Sequence, residues 1–105
     1  MTHRFFPPAE RHLHDIWDYT SDRWGESQAE TYVRELFAWL DALPERAHLW
    51  HAIPGERLRG AFFARYRSHF VFFRRLSSGD IGVLAILHET RDIPRRLAEI
   101  ADDSG

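Results

Sequence analysis

The sequence contains no cysteine, no lysine and no long apolar run. Without cysteine the chain has no disulfide, no thiolate ligand for zinc and no cysteine nucleophile. No stretch approaches the roughly 18–20 apolar residues that cross a bilayer, and the N-terminal residues lack the uninterrupted apolar core of a secretory signal. We therefore expect a cytoplasmic protein with no membrane partner.

The residues that are present are typical of one folded domain. Of the 105 residues, 44% are hydrophobic and 29% are charged, and a chain of this length has room for a single core. No repeat, low-complexity tract or linker divides it. We predict one domain over residues 1–105, with a helical hairpin at about 8–43, a sheet at about 58–88 and a C-terminal segment at 89–105.

Charge is distributed unevenly along the chain. Residues 1–56 hold five arginines and ten acidic residues, whereas residues 57–105 hold nine arginines and six acidic residues. Residues 57–75 alone carry six arginines and no acid. A positive field of this strength favours an anionic partner, either a nucleic acid or an acidic protein segment.

Apolar residues at helical spacing predict two helices. Pro7-Pro8 and Gly25 mark the ends of the first. A Ser27/Glu30 capping box and Pro44 mark those of the second, although Gly25 or Glu26 could begin that helix a residue or two earlier. The short connection implies an antiparallel hairpin. The apolar stripe of the first helix comprises Ala9, Leu13, Ile16, Trp17, Thr20 and Trp24. That of the second comprises Ala29, Val33, Leu36, Phe37, Leu40 and Leu43.

The spacing of apolar residues changes from a helical to a strand-like pattern after residue 57. Residues 45–57 are predicted to form a loop, and 58–65, 68–76 and 80–88 are predicted to form strands, with a turn at 77–80. The last two strands are apolar on both sides, so both faces of this three-stranded layer need cover. The hairpin covers one face. The other needs the C-terminal segment 91–101 or a separate chain, and we expect an apolar face that the chain alone does not cover.

Several blocks, in order, resemble the ParE-type toxins of the RelE/ParE superfamily. They span about residues 4–97 and read I-W-D-Y-T at 16–20, W-G-E at 24–26, L-R at 58–59, F-V-F-F-R at 70–74, V-L-A-I-L-H at 83–88 and R-D-I at 91–93. The chain departs from the family pattern at Phe73 (often tyrosine), at Ala85 (often arginine) and near Arg67, where the usual glycine is missing.

The resemblance implies an α+β fold, with an N-terminal helical hairpin packed on an antiparallel sheet and a short C-terminal helix. It also implies the toxin of a bacterial type II toxin–antitoxin system. Toxins of the ParE branch inhibit DNA gyrase and are silenced by a ParD-like antitoxin in a hetero-oligomer, whereas those of the RelE branch cut messenger RNA on the ribosome. No cofactor and no small-molecule ligand are implied.

The arginines and two phenylalanines are the candidate residues for binding the target or the antitoxin. They are Arg59, Arg65, Arg67, Arg74, Arg91, Arg95, Phe70 and Phe72. Arg59 and Arg74 lie inside the family-like blocks, where an internal ion pair and a partner contact are both open. Arg65 and Arg67 have the simpler alternative of solvating strand ends, and Arg34 is expected to pair with Glu30 along its helix.

Catalytic and metal-binding chemistry has weaker support. His88 is a weak catalytic candidate for a RelE-like nuclease, which needs a base, an acid and cations at one phosphate; otherwise it caps the last strand through a carboxylate or carbonyl. His48 and His51 have a metal-like spacing without an obvious third ligand, so no metal is assigned. Trp39 and Trp50 are candidates for exposed contact residues, with covering the edge of the hairpin as the simpler alternative.

Three functions follow. The first is a toxin without chemistry of its own that blocks gyrase through its arginine-rich half, and the second is a ribosome-dependent endoribonuclease. The third is a decayed toxin that only binds its antitoxin.

Overall fold

The computed structural model describes residues 3–53 and 59–90 of the chain. The helices are α1 (Pro7–Trp24) and α2 (Glu26–Ala42), followed by two 3₁₀ turns at Leu43–Glu45 and Ala47–Leu49. The strands are β1 (His3–Phe5), β2 (His51–Ala52), β3 (Ala61–Tyr66), β4 (His69–Arg75) and β5 (Ile81–His88).

The five strands form one sheet in the order β1-β5-β4-β3-β2. All neighbours run antiparallel except β1, which lies parallel to β5 with His3 opposite Ile81 and Phe5 opposite Val83. The α1–α2 hairpin packs on one face of this sheet. The predicted α+β fold with a helical hairpin on a mainly antiparallel sheet is therefore confirmed, while the predicted C-terminal helix lies outside the described residues.

Proline and glycine set the helix limits as predicted. Prolines occupy the first positions of α1, where a missing N–H costs no hydrogen bond. Gly25 ends α1 at φ 92°, a value that suits glycine, and its N–H donates to the carbonyl oxygen of Ser21 at 2.9 Å. The predicted capping box is wrong, whereas the alternative start of the second helix at Gly25 or Glu26 is confirmed. Gly25 is the N-cap of α2 and no side chain caps that helix, and Glu30 instead accepts a hydrogen bond from Arg34 at 2.6 Å.

Two strands, β1 and β2, were not predicted from the sequence. Residues 45–53 of the predicted loop contain regular secondary structure. The 3₁₀ turns and β2 lie within this loop. β1 and β2 span three and two residues, too few to show an alternating pattern, and their pairing partners supply their stability instead. The sheet therefore has five strands and not three.

The turn at 77–80 is confirmed. The Leu76 N–H donates to the Asp80 carbonyl oxygen at 2.8 Å, and Gly79 adopts φ 92°. The tighter turn between β3 and β4 uses Arg67 at φ 56°, a left-handed conformation that costs a non-glycine residue of the order of 1 kcal/mol. Because the usual glycine is missing there, a residue with a side chain has to adopt this left-handed conformation.

The sheet carries an apolar core on each face. The helix-side core contains Leu36, Leu40 and Phe73, each with no exposed surface. A second core on the other face contains the following residues, which are 0–7% exposed: Ile53, Ala61, Phe72, Leu84, Ala85 and Leu87. A shift in register at Phe72/Phe73, opposite Ala85 and Val83, leaves Leu84 as an extra residue in β5.

This burial corrects one expectation. The second face is not an open apolar surface, because its core residues are withdrawn from solvent within the single chain. The predicted cover by segment 91–101 falls outside the described residues. Of the two described helices, neither combines the length and hydrophobicity needed to cross a bilayer.

Phe73 offers a test of the packing. Its ring lies 5.2 Å from Trp50 and 6.0 Å from Phe62, and it has no exposed surface. We expect Phe73→Ala to lower the free energy of unfolding by about 3–5 kcal/mol because it leaves a cavity that the strands cannot close. Urea unfolding measures this change in the free energy of unfolding. The exposed Tyr19→Ala variant should change stability by less than about 0.5 kcal/mol, and equal losses in both variants would contradict this core.

Candidate partner-binding surfaces

Two arginines of the basic segment are neutralised inside the chain. Arg65 forms an ion pair with Glu89, and its Nε donates to the Arg67 carbonyl oxygen at 2.9 Å. Arg67 forms an ion pair with Glu35. These pairs hold both side chains in place, so the simpler alternative of solvated strand ends is replaced by internal pairing, while both guanidiniums remain about half exposed.

Arg67 is also held between two tyrosine rings. Its guanidinium carbon lies 5.3 Å from the Tyr32 ring centre and 5.4 Å from that of Tyr66. The stacking and the Glu35 pair fix a residue whose backbone is left-handed. Burial raises the pKa of Tyr32 to about 12, with Tyr66 adding to the shift and Arg67 opposing it. Both hydroxyls therefore stay protonated beside the cation, since burial also raises the pKa of Tyr66, with Arg67 opposing that shift.

Arg74 differs from Arg65 and Arg67, because no carboxylate within residues 3–53 and 59–90 pairs with it. Its Nε is buried and makes no hydrogen bond. The residues directly opposite on the neighbouring strands are Ala61 and Gly82, which offer no acceptor side chain. A guanidinium in these surroundings carries an unsatisfied donor, which costs free energy until an acceptor reaches it. Of the two roles left open for Arg74, the internal ion pair is absent from the described part of the chain.

The other predicted binding residues fall in different environments. Arg59 is exposed in the turn before β3, without an ion pair among residues 3–53 and 59–90. Phe70 is half-buried beneath Arg65, with a guanidinium-to-ring distance of 5.6 Å, and Phe72 is only 2% exposed in the second core. Phe72 therefore contributes to packing and not to an accessible surface. Arg91 and Arg95 lie outside the described residues.

His88 is engaged with its own strand end. Its Nδ1 accepts a hydrogen bond from the Thr90 N–H at 3.2 Å and lies 2.8 Å from the Thr90 hydroxyl. This caps the strand as the simpler alternative proposed, although the partners are a hydroxyl and an N–H and not a carboxylate or carbonyl. The His69 ring stands edge-on to it at 5.3 Å.

His69 lies in a partly apolar position between the helices and the sheet. Its Nδ1 is 3.0 Å from the Tyr32 hydroxyl, so the ring and the hydroxyl share a hydrogen bond. Burial lowers the pKa of His69 to about 4, and His88 lowers it further while Glu89 opposes the shift. His69 is therefore neutral at physiological pH. Within the described ranges no group of three or more side chains is placed to hold a metal ion.

A groove of about 1340 Å³ runs between α1, the start of α2 and the ends of β4 and β5. His69, Ile86 and His88 line it on the sheet side, and Tyr19 and Trp24 line it on α1. This groove was not predicted, since its walls come from four separate parts of the sequence.

The exposed aromatic residues are not the predicted ones. Trp39 and Trp50 are half-buried against the helix-side core, and Trp50 Nε1 donates to the Leu43 carbonyl oxygen at 3.0 Å. Instead Trp24, assigned by its spacing to the buried stripe, is 61% exposed, and Tyr19 is 57% exposed. Periodicity missed this because the last turn of α1 extends past the core.

Comparison with known families accounts for this architecture. The model for the ParE toxin of type II toxin–antitoxin systems, parDE, matches residues 4–93. The chain belongs to the ParE toxin family.

Relatives cover most of this ParE family member. Toxin ParE1 of Mycobacterium tuberculosis is 39% identical over 95 residues, which are 87% of this chain and 92% of that toxin. Toxin ParE1 of Caulobacter vibrioides is 37% identical over 87 residues, covering 78% of this chain and 82% of that toxin.

Two solved structures share the fold. A chain from the chromosomal ParDE toxin–antitoxin system of P. aeruginosa matches with a TM-score of 0.61 and 20% identity, covering 84% of this chain and 95% of that one. A chain from the RelBE2 toxin–antitoxin complex of Mycobacterium tuberculosis matches with a TM-score of 0.56 and 24% identity, covering 83% of this chain and 95% of that one.

Two positions at which this ParE toxin departs from the family pattern lie in its buried cores. Phe73 and Ala85 are fully buried, so a tyrosine hydroxyl or an arginine at these positions would need a buried partner. In this chain both positions contribute packing.

The buried histidine predicts a pH dependence of stability. Between pH 6.5 and about 4 the unfolded chain takes up a proton at residue 69 that the folded chain does not, so stability falls as the pH drops through this window. We expect His69→Asn to flatten that fall by less than about 1.4 kcal/mol per pH unit, since the ring is partly solvated.

Urea unfolding at several pH values between about 4 and 7 measures the effect. Tyr32→Phe is the control, because it removes the hydrogen bond to His69 at a cost of about 0.5–1.5 kcal/mol but keeps the titrating ring. An unchanged pH dependence in His69→Asn would show that another group is responsible.

Proposed function

We propose that this ParE toxin is neutralised by a cognate ParD-like antitoxin in a hetero-oligomeric complex and that its target is DNA gyrase. The two structural neighbours belong to toxin–antitoxin assemblies, which supports an antitoxin partner here. The observation that carries the proposal is the relationship to Toxin ParE1 of Mycobacterium tuberculosis over nearly the whole length of both chains.

The arginines on the sheet support an acidic antitoxin segment. Arg65 and Arg67 are paired internally, whereas Arg74 has a buried, unsatisfied Nε and no carboxylate opposite it. An arginine in this state favours a carboxylate from another molecule, which supplies charge-assisted hydrogen bonds and planar recognition. Of the two partner roles predicted for this residue, we propose antitoxin binding.

The geometry gives the nuclease alternative less support. A general base is most effective when its pKa lies near the working pH. His69 has a pKa of about 4 and its Nδ1 is bonded to Tyr32, while the Nδ1 of His88 is bonded to Thr90. The low pKa of His69 makes it a poor general base, and the Nδ1 of each histidine is already hydrogen-bonded. A protein binder that inhibits without chemistry therefore fits the arrangement better.

Inhibition of purified gyrase tests the target. We expect the free chain to inhibit DNA supercoiling and to stall gyrase with cleaved DNA, and we expect induction in a bacterium to slow growth and raise the DNA-damage response. The antitoxin encoded beside the toxin should reverse each effect. Cleavage of ribosome-bound messenger RNA that is lost in His88→Ala, without an effect on gyrase, would overturn the gyrase assignment in favour of a nuclease.

A pair of neighbouring arginines tests the antitoxin contact. Arg74→Gln and Arg75→Gln remove the same charge from adjacent positions of β4, but Arg75 is exposed and its guanidinium lies 5.6 Å from the Trp50 ring centre. We expect Arg74→Gln to weaken antitoxin binding about tenfold or more, the effect of losing a charge-assisted hydrogen bond, and Arg75→Gln to change it by less than about threefold.

Titration calorimetry of the purified toxin against its antitoxin measures both constants, and thermal unfolding confirms that the variants fold. Equal losses in the two variants would indicate a general charge effect and would contradict a specific site at Arg74.

A further inference from the structure

Tyr19 and Trp24 form an exposed aromatic pair at the tip of the helical hairpin. They are the exposed large apolar side chains of the described ranges, and neither belongs to either core. Their ring centres lie 6.1 Å apart, and the Arg23 guanidinium lies 5.2 Å from one and 5.9 Å from the other. The cluster is therefore ordered by its own contacts without serving the packing of the fold.

The composition of this cluster is that of a binding surface. Tryptophan, tyrosine and arginine are the residue types that contribute most to the energy of protein interfaces. Two large rings left in water gain free energy when a partner covers them. The cluster also adjoins the groove, so a partner that covers the rings has a concave surface beside it.

The charges around the aromatic pair are mainly negative. Asp15, Asp18 and Asp22 are exposed on α1 and lie within about 100° of Tyr19 around the helix axis. Glu26 is exposed just beyond Trp24. Arg23 is the cation within the cluster, where it already stacks on the rings. Nearer to the start of α1, Arg11 and His14 also line the groove.

Among the described residues, the other elements that face the groove add little positive charge close to the rings. On α2 the nearest lining residues are Gln28 and Tyr32, both uncharged at neutral pH. On the sheet side His69 is neutral, and His88 lies beyond it. An incoming cation therefore meets acidic side chains and aromatic faces at the hairpin tip.

We propose that this hairpin-tip surface binds the target of the toxin, through a segment of that protein that presents arginine or lysine side chains. The cations stack on Trp24 and Tyr19 and pair with the aspartates of α1. This inference rests on the proposed toxin function. It assigns the target to the acidic end of the molecule, in place of the arginine-rich half that the sequence analysis favoured.

The sign of the charge separates the two partners. An acidic antitoxin segment that satisfies Arg74 is repelled by the aspartates around Tyr19, whereas a basic target segment is attracted to them. The hairpin tip and the arginines of the sheet therefore select different partners, and a variant at the tip should affect one and spare the other.

Trp24→Ala and Tyr19→Ala test the proposal, with two measurements for each variant. We expect each to raise the toxin concentration that half-inhibits its target, measured on gyrase supercoiling and on growth after induction, about tenfold or more. Antitoxin affinity should stay within about threefold of the unchanged chain. Thermal unfolding verifies the fold, which these exposed side chains do not support.

Two variants that each remove one negative charge test the role of the acidic residues around Tyr19 and Trp24. Asp22→Asn should weaken inhibition at low salt and lose this effect at high salt, because screening removes the attraction. Glu45→Gln, which removes the same charge from an exposed position in a 3₁₀ turn, should leave inhibition unchanged. Equal effects of the two variants would contradict a specific role of the acidic residues around Tyr19 and Trp24.

The remaining outcomes each decide between the claims. Unchanged inhibition by folded Trp24→Ala overturns the proposal, and so does a loss of antitoxin affinity equal to the loss of inhibition. If the unchanged chain slows growth without affecting gyrase, the gyrase assignment fails and the growth measurement decides the hairpin-tip proposal alone. If it does neither, the toxin function fails and the proposal fails with it.

Discussion

The sheet of this toxin is apolar on both faces, and the rest of the structure depends on burying both of them. β5 is withdrawn from solvent at every residue from Ile81 to Leu87, with Val83 and Ile86 in the helix-side core and Leu84 and Leu87 in the second core. A small domain has little apolar surface to spare. The hairpin, the aromatic side chains of β3 and β4 and the bulge at Leu84 all serve this double burial.

Because the interior is committed to packing, the polar groups available for recognition lie near the ends of β3 and β4 and at the end of the hairpin. Arg65 and Arg67 are held by Glu89 and Glu35, so their positive charge is largely balanced within the molecule. Arg74 has no carboxylate partner within the described residues, and its buried Nε makes no hydrogen bond. Asp15, Asp18 and Asp22 are exposed on α1, in a different part of the fold. The two partners proposed above would be distinguished by the sign of these charges.

The helices were the most predictable elements, because Pro7, Gly25 and Pro44 lie at or close to the ends of the helices. β3, β4 and β5 were visible as dense apolar runs, although β3 begins later than predicted. β1 and β2 were not visible, since strands of two or three residues exist only through their partners. The groove and the Arg67 stack were also beyond prediction, because they join side chains that are distant in sequence.

The exposure of Trp24 shows a further limit. Spacing alone places a side chain on the correct side of a helix but does not say how far the sheet beneath it extends. The unpaired state of Arg74 is similarly a result of register, since it depends on Ala61 and Gly82 standing opposite it. Such features require the tertiary arrangement, whereas the family blocks recognisable in the sequence needed only the order of residues.

The parallel pairing of β1 with β5 has a consequence for the order of events during synthesis. His3 pairs with Ile81, so β1 has no partner strand until β5, which lies more than 70 residues later in the chain, has also been synthesised. Contacts so distant in sequence form late, after loop-closure entropy has been overcome. A nascent or truncated chain that ends before β5 has the helical hairpin but lacks the strand that joins β1 to β4. The sheet is therefore complete only after residues up to His88 have been synthesised.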